Sequence, residues 1–328
     1  MRGTYHKNVL FAGGNAGIEG AEFVILGVPY DRSSSFRTGQ RFGPNAMRES
    51  SWNFEPFMFE HNIDLKEVKI HDMGNLDDYG DAESMIDSVQ GDVRSIFRQG
   101  SVPLVLGGEH SVSVGAVRAL DRPSELPPAA KEALFGRKEI PESEKVGVIV
   151  IDAHFDMRDQ YLDDRYSHAC ASRRFSEVVG AENIVVIGVR SISKDEHEDA
   201  ARLGVNFIPS FEVKRDGIDV CLKRATNIIK PEKVYLSIDL DGMDPAYAPG
   251  VSTPEPFGIT PDDVKHIIAA FGDRIIGADV VELTPPCDHS GVTSALASRL
   301  VREIIAVVHK NRARETTPSA AQQTIKPE

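Results

Sequence analysis

The stretch "IDAHFDMRD" is rich in side chains of the types that can ligate metal ions. Asp152, His154 and Asp156 occupy alternate positions directly after the apolar run "VGVIV". Alternate side chains of an extended chain share one face, so this spacing aims all three at one point where a strand gives way to a loop. A second cluster, "SIDLDGMDP", places Asp239 and Asp241 in the same way after "KVYL", with Asp244 trailing. A third, "LVLGGEHS", delivers His110 after a Gly-Gly pair that lets the backbone turn tightly. Taken singly, such motifs are mostly strand-end caps, turns or helix N-caps. Together they offer two imidazoles and four carboxylates, and carboxylates converging at buried strand ends repel one another by several kcal/mol, in order of magnitude, unless cations neutralise them. One divalent ion cannot use six such ligands without a strongly anionic site, whereas two ions sharing bridging carboxylates can. Oxygen-rich ligation with one histidine per ion favours Mn²⁺ over Zn²⁺. Two ions roughly 3.5 Å apart would share a water, lower its pKa and hold it as hydroxide, which points to hydrolysis.

These clusters need strands to carry them, and the sequence supplies eight. The runs are "EFVILGVPY" (22–30), "EVKIHDMG" (67–74), "VPLVLGG" (102–108), "KVGVIVIDAH" (145–154), "NIVVIGVR" (183–190), "VNFIPS" (205–210), "KVYLSIDLD" (233–241) and "RIIGADVVEL" (274–283). Their continuous rather than alternating apolarity is what strands buried on both faces look like. Segments with helical spacing lie between them: "PNAMRESSWNF", "AESMIDSVQGDVRSIFRQ", "SVSVGAVRAL", "KDEHEDAARLG", "GIDVCLKRATNII" and "PDDVKHIIAAFG". Most open on Ser, Asp or Pro and several close on Gly. The alternation predicts an α/β fold with a parallel sheet, and ligands in such folds bind outside the carboxyl ends of the strands, where all three clusters fall. The helix "ALASRLVREIIAVVHK" is the most apolar and should pack on the sheet. No linker divides the chain, so one domain is expected over residues 1–312, with residues 313–328 an unstructured tail. The polar stretch 121–145 reads as a surface excursion.

Composition narrows the partners. Acidic residues outnumber basic ones 50 to 37 in 328 residues, for a net charge of −13. That balance argues against nucleic acid and is compatible with a small cationic ligand. No stretch approaches the roughly 18 apolar residues of a membrane span, and the N-terminus has no cleavage-site pattern. The three cysteines, Cys170, Cys221 and Cys287, are far apart and lack C-x-x-C spacing, which fits a reduced cytoplasmic setting.

Four motifs in order, "GGEHS", "DAHFDMRD", "YSHACASRR" and "SIDLDGMDPAYAPGVSTPEPFG", resemble the ureohydrolase superfamily of arginases and agmatinases. The segment "GVPYDRSSSFRTGQRFGPNAMRES" is similar to the agmatinase branch, and the resemblance runs from about residue 20 to 310. It implies a three-layer α/β/α domain with a central eight-stranded parallel sheet, two Mn²⁺ ions per subunit, and hydrolysis of a guanidinium group to urea and an amine. It assigns His110, Asp152, Asp156 and Asp239 to one ion and His154, Asp152, Asp239 and Asp241 to the other. It further implies that Asp156 orients the nucleophile, that Glu282 binds the guanidinium, and that His168 shuttles a proton to the departing amine. His197 and His266 carry no expected role, and His289 is left open. Agmatine, hydrolysed to putrescine and urea, is the first expected substrate, because Asp159, Asp163 and Asp164 in the loop after "DAHFD" would suit a free amine. Arg158 in the same loop would suit a carboxylate, as in 4-guanidinobutanoate or arginine. A deacetylase sharing the fold would usually show adjacent histidines, which this sequence lacks, and a non-catalytic relative would be expected to have lost ligands. Trimers or hexamers are implied by the resemblance alone.

Overall fold

A computed structural model describes residues 4–7 and 9–316. In chain order its strands are β1 (Tyr5–His6), β2 (Phe23–Val28), β3 (Phe57–Met58), β4 (Ile63–Asp64), β5 (Ile70–Leu76), β6 (Val102–Gly107), β7 (Gly147–Ile151), β8 (Ile184–Val189), β9 (Asn206–Pro209), β10 (Val234–Asp239) and β11 (Ile275–Val281). Nine of them form one sheet in the order β1-β5-β2-β6-β11-β10-β7-β8-β9, while β3 and β4 pair as a separate antiparallel ribbon. Eight of the nine are parallel and coincide with the eight apolar runs. The ninth, β1, is antiparallel at the edge, pairing Tyr5 with Leu76 and His6 with Asn75. Two residues are too few to show a hydrophobic period, which is why the sequence does not announce this strand.

The helices are α1 (Gly43–Ser51), α2 (Ala82–Arg98), α3 (Val112–Arg118), α4 (Pro128–Phe135), α5 (Ala171–Val179), α6 (Lys194–Leu203), α7 (Ser210–Asp216), α8 (Ile218–Ile228), α9 (Pro261–Phe271) and α10 (Val292–Thr316). Nine of them pack in two sets: α3 against α2 and α5, with α4 on α2; and α10 against α1 and α9, with α9 on α8 and α8 on α7. Covering a parallel sheet on both sides leaves its strands no wet face, and β2, β6, β7, β8, β10 and β11 are buried at every residue. The result is the expected α/β/α layering.

The 121–145 excursion contains α4, which tucks Ala130, Leu134 and Phe135 against the core. Helices α5 and α7 were not among the expected ones, since their segments are short and carry several charges. Of the expected tail, residues 313–316 continue α10, and residues 317–328 lie outside the described residues. Arg48 is fully buried on α1 and clamps Asp72 with Nε and Nη2 at 2.8 and 2.9 Å, tying α1 to β5. Arg41 pairs with buried Asp31. Cys170, Cys221 and Cys287 are unpaired, and among the described residues no helix is long and apolar enough to cross a membrane.

Candidate metal centre

Four neighbouring strands at the middle of the sheet, β6, β11, β10 and β7, end at one place. Just beyond them the chain delivers His110, Glu282, Asp239 with Asp241, and Asp152 with His154 and Asp156. The turn after β6 depends on glycine: a Cβ on Gly108 would lie 2.0 Å from the Tyr30 carbonyl oxygen. His110 Nδ1 lies 3.1 Å from Asp152 Oδ2 and 3.3 Å from Oδ2 of both Asp156 and Asp239. His154 Nδ1 lies 3.1 Å from Asp241 Oδ2 and 3.6 Å from Asp152 Oδ1. Two ligand sets result, His110–Asp152–Asp156 and Asp152–His154–Asp241, with Asp152 in both. The structure thus brings all six expected ligand residues together.

Whether these residues suit two cations can be judged from their own polar atoms. His110 Nδ1 and Asp152 Oδ2 are buried and 3.1 Å apart, yet neither makes a hydrogen bond. Both face the same point, and leaving such atoms unsatisfied is costly unless an ion meets them. Burial alone would depress the His110 imidazole, but Asp152, Asp156 and Asp239 reverse this and hold it well above its ordinary value. The same balance, with Asp241 and Asp152 as the anions, raises His154. Burial and the Asp152 charge push the Asp156 carboxyl up to about 6. Burial, with Asp241 and Asp152, drives Asp239 well above the usual range. Asp241 goes the other way: burial, the largest single influence, would raise it, but the His154 charge together with hydrogen bonds from His154, the Ala153 N–H and Thr253 lowers it. Carboxylates packed this closely around the two imidazoles make a pocket whose charge suits cations, and ligands of this kind release protons on binding metal.

Two of these residues have strained backbones. Asp156 (φ 53°) and Glu282 (φ 66°) lie in the left-handed region, at a cost of roughly 1–3 kcal/mol each that tends to be kept where a side chain must point a particular way. Glu282 is buried, accepting the His110 backbone N–H at 2.8 Å on Oε1 and the Gln40 amide at 3.0 Å on Oε2. Burial pushes its carboxyl up to about 7, an effect eased by His168 and the Gln40 bond. His168 stands in the short helical turn before α5, with its backbone N–H on Ser33 Oγ at 2.8 Å and its Nδ1 3.2 Å from the same oxygen. Ser33 Oγ in turn donates to Glu109 at 2.6 Å. Glu109 and Ser33 were not singled out from sequence, although both lie inside quoted motifs; three tandem serines near a strand end carry no signal of their own. His197 packs edge-on against Phe207, and neither His266 nor His289 belongs to the candidate ligand groups.

A cavity of about 350 Å³ opens over the carboxylates, lined among others by His154, Asp156, Arg158, Tyr161, His168 and Glu196. The acidic loop does not face it as expected. Asp159 pairs with Arg174 of α5 at 2.7 Å, Asp164 accepts the Tyr166 backbone N–H at 2.7 Å, and neither carboxylate lines the cavity. Arg158 does line the cavity, its guanidinium 5.1 Å from the Tyr161 ring centre and 3.4 Å from Glu196. Glu196 closes the capping box of α6 with Ser193 and also accepts the Met157 N–H.

The sequence matches the Arginase family over residues 21–307. It is 34% identical to an agmatinase of Bacillus anthracis over 92% of this chain and 96% of that one. It is 33% identical to an N(1)-aminopropylagmatine ureohydrolase of Thermococcus kodakarensis, over 81% of this chain and 83% of that one. The crystal structure of agmatine ureohydrolase of Thermoplasma volcanium superposes with a TM-score of 0.84 at 36% identity, covering 95% of this chain and 98% of the other. The protein belongs to the arginase family, and is a hydrolase acting on amidino carbon–nitrogen bonds.

Proposed function

We propose that the protein is a binuclear manganese amidinohydrolase that converts agmatine to putrescine and urea. The observation that carries this reading is the cage of His110, Asp152, His154, Asp156, Asp239 and Asp241, with buried atoms of both imidazole and carboxylate left without partners beneath an open cavity. One ion is assigned to His110, Asp152, Asp156 and Asp239, the other to His154, Asp152, Asp239 and Asp241. A guanidinium carbon is a poor electrophile because resonance spreads its charge over three nitrogens; when bound, the ions supply a water acidified enough to attack it at neutral pH.

The chain's own groups do the rest. Glu282, held on one oxygen by the His110 N–H and on the other by Gln40, takes the guanidinium as a carboxylate and fixes its carbon over the nucleophile. Asp156 accepts a hydrogen bond from the attacking water and orients it. His168, steadied by Ser33, carries a proton to the departing amine, which leaves as an ammonium ion while the amidino carbon leaves as urea.

Agmatine is chosen because the named relatives act on agmatine or an aminopropyl derivative of it. A second reading has support from one residue: Arg158, the cation on the cavity wall, would recruit a carboxylate tail such as that of 4-guanidinobutanoate or arginine. Urea release from Mn²⁺-loaded protein offered each of the three compounds separates the readings. Agmatine should give the highest kcat/KM. A higher value for 4-guanidinobutanoate or arginine would replace agmatine, and no urea from any of them would remove all three. A cytoplasmic setting, supported by three unpaired cysteines, and a trimeric or hexameric assembly, carried over from the family, complete the proposal; light scattering of the purified protein tests the assembly.

A further inference from the structure

Behind the His110 ring, on the side away from the carboxylates, lies a second buried polar group that the proposed chemistry does not use. Asp279 sits in the middle of β11, 1% exposed, on a strand otherwise made of Ile, Gly, Ala and Val. No lysine or arginine among the described residues pairs with it. A solitary carboxylate inside a sheet is an expensive feature that packing does not explain. Its nearest partner is Ser237, directly across on β10 in register. Ser237 Oγ donates to Asp279 Oδ1 at 2.7 Å and lies 3.1 Å from His110 Nε2. The Tyr235 and Ser113 hydroxyls, both fully buried, make no hydrogen bond to it, and Asp279 Oδ2 has no hydrogen-bond partner.

We infer that Asp279 and Ser237 form a positioning relay that fixes the tautomer and ring orientation of His110. The direction of the hydrogen bonds carries the inference. The Ser237 hydroxyl spends its single proton on Asp279 Oδ1, so it offers His110 only a lone pair. His110 can meet that lone pair only with Nε2–H. The Nδ1 lone pair is thereby left facing Asp152, Asp156 and Asp239, where an imidazole must present an unprotonated nitrogen to ligate an ion. The other histidine differs: His154 is partly exposed, and among the described residues its Nε2 has only half-exposed Glu255 within reach, at 3.8 Å. The relay therefore acts on one of the two ion sites.

This inference rests on the binuclear reading, and the experiment separates the two. Mn²⁺ binding to the full chain is measured by competition with a chromophoric chelator. Electron paramagnetic resonance then distinguishes an exchange-coupled pair of Mn²⁺ ions from an isolated one. The parent should take up two ions and show the coupled spectrum; uptake of none would remove the centre itself and the relay with it. In Ser237→Ala, affinity for one ion should fall roughly 10- to 100-fold while the other is unchanged, giving an isolated-ion spectrum at a loading that saturates the parent. Ser237→Thr, which keeps the hydroxyl, should restore the coupled spectrum. Asp279→Asn should resemble Ser237→Ala, because an amide can donate to the serine and reverse the relay. Parent-like affinity for both ions in Ser237→Ala, or an equal loss at both, would overturn the inference.

Discussion

The floor of the site and its rim are built on opposite terms. Asp152, Asp239, Asp241 and His110 on the floor are all but fully buried, and they project from the ends of adjacent central strands whose hydrogen-bond register fixes them relative to one another. The rim is loop. Arg158 has a side chain 40% exposed, Leu162 and Asp163 take left-handed backbone, Asp159 pairs with Arg174 of α5, and Asp164 accepts the Tyr166 N–H. A rigid sheet edge can hold several like charges at spacings that only cations relieve, whereas a loop can change its charges at little cost to the fold. Chemistry should therefore reside in the floor and substrate choice in the rim.

Substitutions on the two sides should differ in kind as well as size. Asp152→Asn removes the residue common to both ligand groups. Losing several kcal/mol of metal-derived stabilisation corresponds to a fall in kcat of roughly 10³-fold or more, with metal content measured by emission spectrometry falling too. His168→Ala should cut kcat by roughly 10²-fold or more while metal content stays at the parent level; loss of metal would make His168 structural. Glu282→Gln should cost roughly 10²-fold in kcat/KM, since a neutral amide cannot pair with a guanidinium.

The pH dependence follows from the same glutamate. Burial raises its carboxyl from 4.5 to about 7, so the fold favours the protonated form. That contribution to stability is fully present below the unfolded value and is lost as pH rises through about 7. Guanidinium needs the carboxylate and behaves oppositely. In ion-free protein, guanidinium affinity by calorimetry should rise with pH, at most about tenfold per unit, until about pH 7, and Glu282→Gln should abolish the slope. The smallest effect belongs to the rim. Arg158→Met should lower KM for agmatine and raise it for 4-guanidinobutanoate by roughly fivefold each, as for a partly exposed charge worth about 1 kcal/mol, with kcat unmoved. A change in kcat instead would place Arg158 with the floor.

The floor was readable in the sequence because its geometry is periodic. Asp152, His154 and Asp156 alternate after an apolar run, as do Asp239 and Asp241, and a strand's two-residue period turns that spacing directly into a shared face. The eight parallel strands were readable for a similar reason, each being a run apolar throughout. What did not show depends on contacts between distant segments. Asp279 and Ser237 meet only because β10 and β11 pair in one register. Ser33 reaches Glu109 and His168 across 76 and 135 residues of sequence. Asp159 and Asp164 suggested an amine site, but Arg174 on helix α5 and the Tyr166 backbone amide pair with them instead.

The central claim, that six strand-end ligands form one two-ion centre which hydrolyses a guanidino compound, is tested most directly by titrating metal-free protein with Mn²⁺ while following urea release from agmatine. Urea formation should be absent at the start, climb as ions are added and level off at two per chain. Full urea release from metal-free protein, or a plateau at one ion per chain, would contradict it.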